Sequence, residues 1–124
     1  MSLMYPGVGD IGTVVTGKST PARVEGNGGN AVLATIDIPS AGVWIVCASG
    51  WLPISGKQGY AALLNGVSSL CATDTGTYQF SMSGILSASS ATQVKLQYTS
   101  WDTVAHDNTQ IPGLIFKAVK VGGA

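Results

Sequence analysis

Residues 60 to 71 read YAALLNGVSSLC, and this stretch decides the fold class. Two short apolar segments flank Asn65-Gly66, a dipeptide that accepts positive φ at low cost and so closes two-residue hairpins. YAALL (60 to 64) is therefore expected to run out and VSSLC (67 to 71) to return as an antiparallel partner.

The same pattern of short β-branched and aromatic segments broken by turn signals extends in both directions. Upstream, VLATIDI (32 to 38) ends at Pro39, and Ser40-Ala41-Gly42 turns the chain into VWIVCAS (43 to 49). Downstream come YQFSM (78 to 82), GILSA (84 to 88), QVKLQYTS (93 to 100) and GLIFKAVKV (113 to 121). In QVKLQYTS, Val94, Leu96 and Tyr98 alternate with Lys95, Gln97 and Thr99, the period of a half-buried strand. No segment pairs an apolar stripe at helical period with capping residues, so almost no helix is expected. The fold class is all-β, a jelly-roll sandwich occupying residues 31 to 124.

Residues 1 to 30 differ. Gly7, Gly9, Gly12, Gly17, Gly26, Gly28 and Gly29, with Pro6 and Pro21, break regular structure and predict an extended arm with one short strand at 13 to 16.

Composition narrows the function classes. Of 124 residues only 10% are charged, six basic against six acidic, while 45% are hydrophobic and the mean hydropathy is +0.32. An ordinary domain carries about 25% charged residues, so 13 Ser, 11 Thr, 4 Asn, 5 Gln and 17 Gly must keep this surface wet. Disorder is disfavoured by the apolar content. Balanced, scattered charge gives no phosphate-binding track, so no nucleic-acid partner is expected. The apolar runs are far shorter than the roughly 20 residues of a spanning helix, and no secretory signal or membrane insertion is expected. Cys47 and Cys71, with 23 residues between them, read as two buried thiols or, as the alternative, a disulfide.

Two strands carry apolar residues on both sides. Leu114, Phe116 and Ala118 alternate with Ile115, Val119 and Val121, and Val43, Ile45 and Cys47 alternate with Trp44, Val46 and Ala48. Strands apolar on both faces are buried on both faces, which points either to a second subunit or to a tightly rolled single-chain barrel. Trp44, Val46, Leu114 and Phe116 are the candidate subunit contacts.

Several motifs resemble chemistry without its context. Gly12 to Ser19, GTVVTGKS, spells a phosphate-binding loop, yet the next residues, TPARVEGNGG, leave no room for the helix that loop requires. Gly7 to Gly12 spells a dinucleotide fingerprint with no strand before it. His106 is the one histidine, and no Gly-x-Ser-x-Gly nucleophile turn accompanies it. It reads as a solvated loop residue, or an axial ion ligand if three copies met on a threefold axis. No enzyme activity, cofactor or single-chain metal site is expected. The aromatics are more suggestive: Trp51 and Trp101 sit at strand ends beside polar loops, with Gln58, Tyr60, Asp102, His106, Asp107 and Asn108 nearby in sequence. Flat aromatic faces with amide and carboxylate neighbours suit sugar rings; the alternative is that they plug the sandwich or an interface.

IDIPSAGVWIV (36 to 46), YAALLNG (60 to 66), QVKLQY (93 to 98) and GLIFKAVKV (113 to 121), in that order, resemble the jelly roll shared by complement-type heads, tumour necrosis factor and bacteriophage tail-fibre tips. PGVGDIGTVVTG (6 to 17) is similar to the glycine-rich connector of the phage branch. The resemblance implies a homotrimeric virion protein made in the bacterial cytoplasm. It also implies partners among tail or baseplate proteins, and a bacterial surface polysaccharide or outer-membrane protein as receptor.

Overall fold

The computed structural model describes residues 10–20, 22–25, 28–51, 59–74, 79–100, 106–109 and 113–123, with the backbone alone at 22 and 106–109. These residues form eleven strands: β1 (Val14–Thr16), β2 (Lys18–Ser19), β3 (Ala22–Val24), β4 (Asn30–Ile38), β5 (Gly42–Trp51), β6 (Gly59–Asn65), β7 (Ser68–Asp74), β8 (Gln79–Ala88), β9 (Thr92–Ser100), β10 (His106–Thr109) and β11 (Ile115–Gly122).

The strands build two antiparallel sheets. The first runs β1-β11-β5-β8, the second β2-β4-β9-β6-β7, and β3 pairs with β10 in a small ribbon. From β4 onward the chain changes sheet at nearly every connection, the exception being the β6–β7 hairpin. With β2, β3 and β10 set aside, the remaining eight strands stand in the orders 1-8-3-6 and 2-7-4-5. That is the doubly Greek-key order of a jelly roll.

The hairpin forms where the dipeptide predicts it, with its turn displaced by one residue. Asn65 pairs with Ser68, so Gly66 and Val67 are the two turn residues, and Gly66 takes the positive φ of 62°. Asn65 stays in the strand and serves as a clamp: its side-chain amide donates to Thr92 Oγ1 at 3.0 Å and to the Gln93 carbonyl at 2.9 Å. The hairpin is thereby tied to the start of β9.

Where two strands were expected at 78 to 82 and 84 to 88, the chain makes one, β8, continuous through Gly84. At Gly84 the two sheets close on each other along the β7–β8 edge. A β-carbon there would lie 2.9 Å from Leu70 Cβ and 3.3 Å from Cys71 Sγ, so the glycine permits the approach.

The segment before residue 31 contributes to the sandwich. β1, the strand expected at 13 to 16, pairs with β11, and β2 pairs with β4. The phosphate-loop spelling is therefore carried by two edge strands, and Lys18 sits opposite Thr35.

Alternation decides the core. Trp44, Val46, Ala48, Phe116, Ala118, Phe80 and Leu86 face inward from the first sheet; Ala34, Ile36, Ile38, Leu63, Val94, Leu96 and Tyr98 meet them from the second. Trp44 is fully buried, and its indole N–H donates to the Ser40 carbonyl at 3.2 Å, satisfying the one polar atom it brings into the core. Here the sequence reading needs correction. Trp44, Val46 and Phe116 are not subunit contacts, because all three are consumed by the chain's own interior, and Leu114 packs against the same core. The two-residue period separates two faces without saying which one the second sheet will cover.

Trp44→Ala should therefore lower the subunit's own stability by about 3–5 kcal/mol, measured by denaturant unfolding. A variant that unfolds normally and loses only self-association would return Trp44 to an interface.

Candidate functional site

Because neighbouring strands are antiparallel, the ends of β5, β7 and β9 and the starts of β4, β6, β8 and β11 gather at one end of the sandwich. Of the residues singled out from sequence, Trp51 and Tyr60 lie at this end. Trp51 closes β5 and Tyr60 lies near the start of β6. His106, Asp107 and Asn108 lie in β10, whose backbone pairs with β3, His106 opposite Val24. Their side chains, and Gln58, Trp101 and Asp102 entirely, lie outside the described residues.

The structure separates the two described aromatics. Trp51 continues the odd-numbered series of β5 and stands on the outer face of the first sheet, 54% exposed. Tyr60 stands on the outer face of the second sheet, in a row with Asn30, Thr99 and Asp74. One aromatic platform spanning both is ruled out by the alternation.

What Trp51 does have is a polar surround that sequence spacing could not reveal. Its cross-strand partner is Gln79, and one pair below it Ser49 faces Ser81. At the β7–β8 edge, Thr73 and Asp74 approach the same place, enclosing an open cleft of about 490 Å³ with Gly113 at its margin. Its described lining includes one carboxylate-bearing residue, Asp74, and no lysine or arginine. Gln79 was missed because the pairing that brings it to Trp51 joins residues 28 apart in the chain, and Asp74 because β7 lies in the other sheet and meets the cleft only along the β7–β8 edge.

Further along the same outer face the chemistry changes. Val14, Val119, Ile45 and Ile85 form one register row across all four strands, so a line of aliphatic side chains crosses the sheet from edge to edge. Val14 is 58% and Ile85 67% exposed, and Ile115 and Val121 are also exposed. A shallow depression lined by Gly42, Val43, Ser87, Ala88, Ser89 and Gly123 lies at the end of the sheet away from Trp51. Single surface aliphatics need no explanation, but a contiguous exposed strip marks a contact surface.

The thiols correct another expectation. Both cysteines are free, and Cys47 is exposed on this outer face rather than buried, between the aliphatic row and Trp51. Cys71 is partly buried, and burial pushes its pKa above the ordinary thiol value, a hydrogen bond with the Leu63 backbone acting in the opposite sense and Cys47 adding slightly to the rise. Among the described residues no three His, Cys, Asp or Glu side chains cluster as a metal site.

No protein-family model and no curated protein matches the chain. Among solved structures it is similar to the C-terminal CBM6 of LamC, a marine laminarinase from Zobellia galactanivorans. The two share 14% identity over 87% of this chain and 91% of that one, with a TM-score of 0.37. At that level the reading of function rests on the chain's own surface.

Thiolate is the reactive form of cysteine, so raising the pKa of Cys71 lowers its reactivity near neutrality. Alkylation of Cys71 by iodoacetamide at pH 7.5 should be at least several-fold slower than that of a free thiol peptide and should climb as pH rises. Mass spectrometry of timed digests checks this; a Cys71 as fast as the peptide contradicts it.

Proposed function

We propose that the chain is a non-enzymatic receptor-binding tip of a bacteriophage tail fibre or spike, displayed on the virion as a homotrimer. It attaches to a bacterial surface glycan or outer-membrane protein. The observation that supports this most is the division of one outer sheet face into two chemistries. An exposed aliphatic row suits association with further copies, and a polar cleft around an exposed tryptophan suits ligand recognition. The number three comes from the resemblance to phage tips and complement-type heads, and the aliphatic row supplies the surface it needs.

A carbohydrate-active enzyme fits less well. Glycoside hydrolysis ordinarily uses two carboxyl groups across the scissile bond, and the described lining of the cleft contains only Asp74. The aliphatic row equally favours a second reading, a virion module that trimerises without binding a host, such as a fibre cap or capsid decoration protein.

Binding to whole cells separates the two. The labelled protein, tested against a panel of bacterial strains and their purified envelope fractions, should bind a subset of strains. Ile85→Asp places a charge in the aliphatic row at a side chain exposed in the single chain, so the folded subunit should survive. It should lose assembly and, with it, at least tenfold of cell binding, because multivalent attachment is lost. A stable trimer that binds no strain or fraction would favour the structural module instead.

A further inference from the structure

We propose that the cleft at the β5–β8 end binds a neutral, uncharged pyranose ring, with Trp51 as the stacking face and Gln79, Ser49 and Ser81 as its hydroxyl partners. The proposal rests on the receptor-binding reading and names the ligand class of that site.

The geometry supplies each requirement. Trp51 is the last residue of β5, and the backbone register with Gln79 fixes where its ring is displayed. More than half of it is open to solvent, so it offers an apolar plane that none of the described residues covers fully. A pyranose presents a C–H face of matching chemistry and a rim of hydroxyls. That rim needs both donors and acceptors: the Gln79 amide gives one of each, and the hydroxyls of Ser49 and Ser81 can serve as either. These side chains share the outer face with Trp51, in the same and the adjacent register rows. Asp74 borders the cleft from the end of β7, with its side chain in the Tyr60 row of the second sheet. The cleft volume of about 490 Å³ falls in the range of small-ligand sites.

Charge selects within the sugars. With no Lys or Arg among the described lining residues and one carboxylate present, a uronic or sialic acid would bring its negative charge toward Asp74 without a compensating cation. Like-charge juxtaposition discriminates against such ligands. An uncharged ring meets no such penalty. Both arms of the site lie on strand ends held by cross-strand pairs, so the positions of Trp51, Gln79, Ser49 and Ser81 are set before any ligand arrives.

The test uses the full chain and two matched panels. One holds methyl glycosides and short oligosaccharides of glucose, galactose, mannose and N-acetylglucosamine; the other holds glucuronic, galacturonic and sialic acid glycosides. Binding is read by ligand-observed NMR and by the tryptophan emission of wild type against Trp51→Phe. At least one neutral glycoside should bind, every acidic one should bind at least tenfold more weakly, and Trp51→Ala and Gln79→Ala should each weaken the neutral ligand at least fivefold. Circular dichroism confirms that the variants fold, and Trp51→Phe should retain most of the affinity because it keeps an aromatic plane. Acidic sugars binding as well as neutral ones would overturn the proposal, as would neutral binding untouched by both alanine variants. If no saccharide binds while whole cells are still bound, the sugar site fails and the receptor-binding reading stands. If neither sugars nor cells are bound, both fail.

Discussion

The two-residue period of β5 and β11 is the constraint from which the other features follow. Each strand carries apolar side chains on both faces, and a sandwich has only one interior. Trp44, Val46, Phe116 and Ala118 turn toward the second sheet and are buried. Ile45, Val119, Ile115 and Val121 are thereby committed to the outside. No reassignment of register can bury both sets, because a slip by one residue exchanges the faces and exposes the tryptophan. The exposed row is completed by Val14 at one edge and Ile85 at the other, so all four strands of the sheet contribute to it.

The same alternation organises the Trp51 end. Trp51 belongs to the odd-numbered series of Ile45 and so stands on the same outer face, six residues or about 20 Å further along the strand. Between them come Ser49 and Cys47, and from the neighbouring β8 Ser81 and Ser83. Contact between copies along the Val14–Val119–Ile45–Ile85 row would leave Trp51 outside that row, three same-face positions further along β5. The low formal charge fits the proposed division: recognition on such a surface would rest on shape, stacking and neutral hydrogen bonds rather than on charge.

The parts of the fold written in local signals were legible in the sequence. Asn65-Gly66 marked the hairpin, and the strands at 32 to 38, 43 to 49 and 93 to 100 were marked by alternation and flanking turns. What was not legible depended on partners distant in the chain. The turn sits on Gly66-Val67 because Asn65 is held in the strand by β9. β8 runs unbroken because Gly84 lies against Leu70 and Cys71. Trp44, Val46 and Phe116 were assigned to the wrong side for the same reason, since only the second sheet determines which face is inside. Around the cleft, Trp51 was legible as an aromatic at a strand end. Gln79 and Asp74 became visible only with the β5–β8 register and the closure of the β7–β8 edge.

The proposed homotrimer requires that the uncovered aliphatic face meet further copies of the chain. Native mass spectrometry of the 124-residue chain from nanomolar to micromolar concentration tests it. The account predicts a dominant species of about 38 kDa, three times the 12.6 kDa subunit, persisting well below micromolar. A 12.6 kDa monomer as the dominant species throughout that range would contradict it.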